Sequence, residues 1–264
     1  MPLPSPGNPI GRPFIELQSI DSTNKYAMGL VHGDHLPDGQ GEAQHGTVIF
    51  THEQTAGKGQ RGKNWVSEKD SNIALSVLLN PYPLSILDQF KLSICMAVSV
   101  YEFLFKYVGD ETSIKWPNDL YWRDRKAGGI LIENVVSSGK SEAGHWRWSV
   151  VGVGININQT IFPGEIPNAV SVKQIAGKDF PTVELAKELC SVIDKNYREL
   201  INGKFESFFN IYQANLYKKH EKVKLKKDNR IFETVIKGVS ETGQLITHHS
   251  MEERFEVGEV VWIG

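Results

Sequence analysis

The stretch on which the fold assignment depends is a glycine-rich run of nine residues, Gly57-Lys58-Gly59-Gln60-Arg61-Gly62-Lys63-Asn64-Trp65. Its glycines match the G-x-G-x-x-G pattern of dinucleotide-binding folds, and they also approach a P-loop, with Asn64 in place of the Ser or Thr that binds magnesium. Both motifs need a helix to begin directly after the glycines, because its N-terminus holds the phosphate. Residues 64–67 show no helical period, so the context argues against both folds. A helix beginning near residue 63 would restore them.

The same run has a third interpretation that needs no helix. Three glycines let the backbone approach an anion closely, and Lys58, Arg61 and Lys63 add three positive charges within six residues. Such a loop would be a mobile cationic clamp for a polyphosphate or a mixed phosphate anhydride. A solvated surface loop is the alternative, and the loop alone does not decide between them.

Further candidate residues lie downstream, where predicted strands end. Lys115-Trp116-Pro117-Asn118-Asp119 ends a strand in a turn, and its amide and carboxylate could contact a nucleotide or Mg²⁺, although the same residues also make an ordinary turn. Lys126 precedes Gly128-Gly129 and a buried-looking strand, which would place its ammonium at the mouth of the sheet or in water. These residues supply cations, amides and one carboxylate near one sheet edge.

Two glycines in a later strand share one face of the predicted sheet. Gly152 and Gly154 are two residues apart, so their missing side chains lie on the same face, with Asn156 at its end. Glycine weakens a strand interior, and one use of it there is to let a flat ligand lie against the backbone. A close helix crossing would also require small residues at these positions.

The composition excludes several classes of protein. The chain is 40% hydrophobic and 23% charged, which is typical of a globular protein rather than a disordered one. Its formal net charge of -2 gives no overall attraction for nucleic acid or for a membrane surface. The longest apolar stretch, Ile94 to Phe105, is far below the ~20 residues of a membrane helix. Cys95 and Cys190 have no metal or disulfide spacing, and no secretory signal is present. We expect a cytoplasmic protein with reduced thiols.

The pattern of elements predicts an α+β fold, a mixed β-sheet with helices packed mainly on one face. The clearest helix carries an apolar stripe from Leu87 to Phe105 with a helical period. Five short strands after Tyr217 indicate a small barrel. We therefore expect a mobile Pro-rich tail at 1–13, a main domain at 14–218 and a barrel at 219–264.

Taken together, these stretches resemble the biotin-protein ligases in order and spacing. The resemblance also includes Asp21-Ser22-Thr23-Asn24 and Glu53-Gln54-Thr55-Ala56, and it covers about residues 14–264. It implies a sheet-and-helix domain related to class II aminoacyl-tRNA synthetases, an SH3-like barrel, and no N-terminal DNA-binding domain. The implied activity is ATP-dependent attachment of biotin to a lysine of a biotin carboxyl carrier domain through biotinyl-5′-AMP, with Mg²⁺ as cofactor.

The family's roles carry over to matching positions of this chain, as what the resemblance implies. Lys126 and Arg61 would be catalytic, with Lys126 contacting the biotin carboxylate and later the adenylate phosphate, and Asp119 would bind Mg²⁺. The remaining biotin-binding residues would be Ser22, Thr23, Asn24, Gln54, Gly57, Lys58, Gly59, Gln60, Gly129, Gly152 and Gly154. The remaining ATP-binding residues would be Lys63, Trp65, Asn118, Asn156 and Asp119.

Two departures from the family pattern affect these expectations. Many members carry arginines where this chain has Lys58 and Gln60, so one charge fewer holds the intermediate. A lysine that some members place in the barrel corresponds to Thr242, so no barrel residue is assigned to catalysis.

Two other functions stay open at this point, a lipoate-protein ligase and a nucleotide- or carrier-binding module without turnover. Exposed edge strands would allow a homodimer, but no residue pattern specifies one.

Overall fold

The computed structural model describes residues 7–33, 43–137, 145–164 and 168–263. The first half contains β1 (Phe14–Leu17), α1 (Thr23–His32), β2 (Val48–Thr51), β3 (Asn72–Leu79), α2 (Gln89–Val108), β4 (Thr112–Lys115), β5 (Asp119–Trp122) and β6 (Arg125–Ser137). The second half contains β7 (His145–Asn156), α3 (Val172–Ala176), α4 (Thr182–Ile201), α5 (Phe205–Ala214), β8 (Lys222–Lys227), β9 (Arg230–Val239), β10 (Leu245–His248), β11 (Glu252–Phe255) and β12 (Val261–Ile263).

The main sheet has seven strands in the order β1-β2-β3-β7-β6-β5-β4. β1 pairs with β2 in parallel, and the other neighbours are antiparallel, so the sheet is mixed as predicted. β8 to β12 form a second, antiparallel sheet of five strands in the order β11-β10-β9-β8-β12. Together these sheets and helices confirm the predicted fold class, an α+β domain with a small C-terminal β domain.

Alternating side chains divide the main sheet into two buried faces. Val48 and Phe50 of β2 point into the larger core, which is covered by α2 and α4, whereas Ile49 packs with Leu30 of α1. The helices therefore lie mainly on one face, as expected, with α1 on the other face. The consequence for function is that α1 shares its face of the sheet with the space left by Gly152 and Gly154.

Three details of the structure differ from the sequence prediction. The predicted apolar stripe does not reach the core at its ends: Leu87 lies before α2, in the short 3₁₀ turn Ile86–Asp88, and is 88% exposed, and Phe105 is 44% exposed. α3 was not predicted, since five residues are too short for a periodic signal. The predicted mobile tail is anchored from Ile10 onwards: this side chain is 5% exposed, and its N–H donates to the Asp194 carboxylate at 2.9 Å. The first part of that tail, 1–6, lies outside the described residues.

Among the described residues, no helix combines the length and the apolar composition that a membrane span needs. Cys95 and Cys190 are both free thiols buried in the core.

Stability should fall in mild acid because of His45. Burial lowers the pKa of this imidazole, whose Nδ1 accepts a hydrogen bond from the Asn80 N–H at 3.0 Å. The unfolded chain then takes up a proton near pH 6.5, the ordinary histidine value, before the folded chain does. We expect the free energy of unfolding to decrease as the pH drops below that value. Urea unfolding at a series of pH values would measure this, and His45→Gln should show a smaller pH dependence; equal pH dependence in both proteins would contradict the assignment.

Candidate active site

A cavity of about 790 Å³ opens between the α1 face of the main sheet, the glycine-rich loop and the C-terminal β domain. It brings together nearly all of the residues proposed from the sequence, and Gly57 alone among them does not line it. The predicted residues on its wall are Ser22, Thr23, Asn24, Gln54, Lys58, Gly59, Gln60, Arg61, Lys63, Trp65, Asn118, Asp119, Lys126, Gly129, Gly152, Gly154 and Asn156.

One end of the cavity is a polar cluster at the beginning of α1. Ser22 is the N-cap of this helix, and its hydroxyl accepts from the Lys25 N–H. Thr23 donates from both its backbone N–H and its hydroxyl to the side-chain amide oxygen of Gln54 (Oε1), at 2.9 and 3.2 Å. Ser76 of β3 donates towards the Thr23 hydroxyl oxygen at 2.8 Å. Helix capping and the sheet thus fix a set of donors and acceptors at this end, which suits a small polar ring.

Asn24 explains why residue 152 is a glycine. Its side-chain amide donates to the Glu133 carboxylate at 2.8 Å and lies directly over Gly152. A Cβ at position 152 would overlap the Asn24 amide, so the missing side chain makes room for the neighbouring protein group rather than for a ligand alone.

The glycine-rich loop folds back on itself and does not lead into a helix. The Trp65 N–H donates to the Gly57 carbonyl at 2.9 Å, and the Gly59 N–H donates to the Lys63 carbonyl at 2.7 Å. Only a short 3₁₀ turn, Gln60–Gly62, interrupts the loop. No phosphate-binding helix N-terminus follows the glycines, which excludes both the dinucleotide fingerprint and the P-loop.

Trp65 closes the loop against the sheet. A Cβ at Gly154 would lie 2.6 Å from two carbons of the Trp65 ring, so the indole rests on the bare backbone of β7. The indole N–H is buried and has no hydrogen-bond partner among the described residues. Gly154 is therefore required by the position of Trp65.

The arginine at the tip of the loop contacts the C-terminal β domain. Arg61 adopts a left-handed backbone conformation with φ 59° and donates a hydrogen bond to the Val257 carbonyl. Its guanidinium fills the space that a side chain at Gly258 would occupy. Sequence reasoning missed Val257 and Gly258, although a glycine between two short strands is a signal for a turn. The C-terminal domain thus forms part of the cavity wall.

A lysine and an aspartate form an ion pair on the floor of the cavity. The Lys126 ammonium lies 2.5 Å from the Asp119 carboxylate, and both side chains are less than one-third exposed. Gly129 packs closely against this pair, since a Cβ there would lie 3.2 Å from an Asp119 carboxylate oxygen and 3.4 Å from the Lys126 Nζ. Asn118 donates to the Ile130 carbonyl, and Asn156 donates to the Lys126 carbonyl at 3.3 Å. Both amides therefore hold the backbone of this region as well as facing the cavity.

The described residues do not fit a magnesium ion held by protein side chains. Asp119 is a single carboxylate that already binds Lys126, and no group of three or more His, Cys, Asp or Glu that could hold a metal occurs in the described part of the chain. The assignment of Asp119 to Mg²⁺ thus stays a prediction without support from this geometry.

Lys115 is a further cation of the cavity, and it was given no role from the sequence. It ends β4 and donates to the Tyr121 hydroxyl at 3.1 Å. Burial lowers the pKa of the Lys115 ammonium to about 8. The alternation of β4 predicts a strand here, but not that its last side chain is enclosed.

The family of the chain follows from comparison with known proteins. The family model of the biotin/lipoate A/B protein ligases matches residues 17–156, which is more than half of the chain. The chain belongs to this ligase family. The matched segment includes α1, the glycine-rich loop, Lys126 and both glycines of β7.

Individual members of the ligase family are similar over longer stretches. The bifunctional ligase/repressor BirA of Bacillus subtilis is 30% identical over 200 residues, which are 74% of this chain and 57% of BirA. The biotin–[acetyl-CoA-carboxylase] ligase of Paracoccus denitrificans is 27% identical over 87% of this chain and 92% of its own. The biotin protein ligase of Aquifex aeolicus, solved with biotin and ATP, has a TM-score of 0.76 at 26% identity, covering 95% of this chain and 98% of that one. The chain therefore spans little more than half of the first of these ligases and nearly all of the other two.

Proposed function

We propose that the protein attaches biotin to a lysine of a biotin carboxyl carrier domain, using ATP and passing through biotinyl-5′-AMP. The observation that carries this proposal is that Lys126 and Arg61, which are far apart in sequence, line a single cavity together with the Thr23–Gln54 cluster. A cavity with polar groups at one end and cations elsewhere suits a ligand with a ureido ring and a carboxylate, joined by a polyphosphate. The cytoplasmic location and a homodimer stay predictions.

The chemistry needs charge neutralisation rather than a protein nucleophile. In the first step a carboxylate oxygen of biotin attacks the α-phosphorus of ATP, an O–P bond forms, and diphosphate leaves. In the second step the neutral amine of the acceptor lysine attacks the acyl carbon, an amide bond forms, the amine loses a proton, and AMP leaves. Both partners of the first step are anions, so positioned cations lower its barrier.

The protein's own residues supply these cations and the water-excluding cover. Lys126 would hold the biotin carboxylate and then the adenylate phosphate. Each of these anions must compete with the Asp119 carboxylate for the Lys126 ammonium. Arg61 and Lys63 would bind the ATP phosphates, and Trp65 would pack near the adenine. The folded loop over the cavity would protect the mixed anhydride from water. Magnesium would enter with the nucleotide phosphates.

The test is a search for the intermediate and for the product. The protein is mixed with biotin and MgATP and examined by mass spectrometry for biotinyl-AMP, and a carrier domain is then added to look for a mass increase on its lysine. Formation of both species is expected. Absence of biotinyl-AMP in a folded preparation would refute the proposal, and biotinyl-AMP without transfer would show that the acceptor is a different one.

Lipoate is the alternative acid, because the family model includes lipoate ligases. The biotin ligases among the similar proteins and the polar Thr23–Gln54 cluster favour a ureido ring over a dithiolane. A competition between radiolabelled biotin and excess lipoate distinguishes the two acids. We expect excess lipoate to leave the amount of radiolabelled biotin attached to the acceptor unchanged.

With Gln60, biotinyl-AMP should dissociate from the protein faster than it would with an arginine at this position. Gln60 lines the cavity beside Arg61, so Gln60→Arg adds a cation near the adenylate phosphate. One charge-assisted hydrogen bond corresponds to roughly tenfold in a dissociation rate. We expect free biotinyl-AMP to appear about tenfold more slowly in the variant when no acceptor is present. Gln60→Met is the matched control without charge, and equal release rates in both variants would contradict this reasoning.

A further inference from the structure

The Lys115 ammonium lies among three aromatic rings that come from three parts of the chain. Its Nζ is 4.5 Å from the ring centre of Tyr121 on β5, 5.2 Å from that of Tyr217, and 5.0 Å from that of Trp262 on β12. Tyr217 follows α5, and Trp262 belongs to the C-terminal β domain, so the rings join the two domains around one lysine. These distances are within the range of cation–π attraction.

No carboxylate of the described residues forms an ion pair with Lys115. Asp119, the residue opposite it on β5, is bound to Lys126 at 2.5 Å. Asp124 is bound to Lys218 at 3.0 Å and accepts from the Tyr217 hydroxyl at 2.6 Å. A half-buried ammonium thus faces the cavity with aromatic faces and one phenol oxygen around it. Asp119 and Asp124 stabilise its charge only from a distance, so an anionic ligand would supply the direct counter-charge.

The position of Lys115 in the sheet indicates which part of a ligand it would meet. The polar cluster at the start of α1 is built on β3 through Ser76, whereas Lys115 is on β4 at the far edge. Four strand spacings separate β3 from β4, or roughly 19 Å. Lys126 lies between them. A ligand with its ureido ring at the α1 end and its carboxylate at Lys126 would extend its phosphates towards Lys115.

We propose that Lys115 binds a phosphate group of the nucleotide or of the departing diphosphate, and that Trp262 is the positioning residue that holds it in place from the C-terminal β domain. The inference rests on the proposed function for the identity of the nucleotide. Trp262 acts through the Lys115 ammonium, which lies 5.0 Å from its ring centre, and not through a contact of its own with the ligand.

Binding measurements test the role of Lys115 without requiring turnover. The wild-type chain, Lys115→Met and Lys218→Met are each titrated with α,β-methylene-ATP and, separately, with biotin. Lys218 is the matched control, because its ammonium also lies near the Tyr217 ring, at 5.2 Å, but it does not line the cavity. We expect Lys115→Met to bind the ATP analogue about tenfold to a hundredfold more weakly, with biotin binding unchanged, and Lys218→Met to resemble the wild type. Unchanged binding in Lys115→Met, or equal losses in both variants, would overturn the proposal.

The role of Trp262 is tested by a double-mutant cycle. Trp262→Leu should weaken binding of the analogue about tenfold in the wild-type background and less than about twofold when Lys115→Met is already present. An equal effect in both backgrounds would show that Trp262 acts on the fold in general, and would overturn its positioning role. A chain that binds the analogue through Lys115 but forms no biotinyl-AMP would refute the proposed function while supporting the phosphate site.

Discussion

Replacing Lys126 with alanine is expected to abolish biotin-dependent ATP–diphosphate exchange while the fold is retained. The change removes the cation that would hold the carboxylate, and it also leaves the Asp119 carboxylate without its partner at 2.5 Å. An uncompensated negative charge would then face the incoming phosphates. Loss of a positioned charge-stabilising group lowers the rate by about a hundredfold to a thousandfold. The unpaired Asp119 carboxylate would lower it further by repelling the ATP phosphates. We therefore expect a loss of at least about a thousandfold.

The fold should survive this change, because the Lys126 side chain is 29% exposed and is not part of the apolar core. The exchange assay measures activity, and thermal unfolding followed by circular dichroism measures stability. Lys25→Ala is the matched control: this lysine also pairs with an aspartate, at 2.6 Å, but it lies outside the cavity. Unchanged exchange in Lys126→Ala would remove the central residue from the proposed mechanism.

The second large effect is expected from Gly154→Ala, a change of one methyl group. Its Cβ would lie 2.6 Å from the Trp65 ring, which is too close for any real contact, so the indole must move. The start of the glycine-rich loop would move with it, because Trp65 and Gly57 are hydrogen-bonded at 2.9 Å. We expect the KM for ATP to rise by about tenfold or more, in line with the cost of displacing a packed group.

Steady-state kinetics at saturating biotin would measure this effect. Gly164→Ala is the control, since a Cβ at that exposed glycine meets nothing within 4 Å. If Gly154→Ala keeps a normal KM for ATP, then the Trp65 ring is free to move without consequence, and its proposed place beside the adenine is wrong.

The local elements were largely predictable because they depend on short-range patterns. The period of α2 and the five short strands after Tyr217 are properties of neighbouring residues, and both the helix and the second sheet are found where they were expected. The absence of a helix after the glycine-rich loop was predictable for the same reason. The ends of the predicted stripe were not, because Leu87 lies in a 3₁₀ turn before α2 and the exposure of Phe105 depends on which other elements cover the helix.

The sequence by itself determined most of the helices and strands, although not the short α3, together with the two glycines on one face of β7 and the set of cations and amides available for chemistry, because these follow from residue type and spacing. Only the tertiary structure decided which cations share a wall and what each one touches. Lys126 is paired with Asp119, Arg61 rests on the Val257–Gly258 turn, and Lys115 is enclosed by rings that include Trp262. These contacts join segments more than a hundred residues apart in two cases, and no local pattern encodes them, since they arise when the C-terminal β domain packs against the cavity.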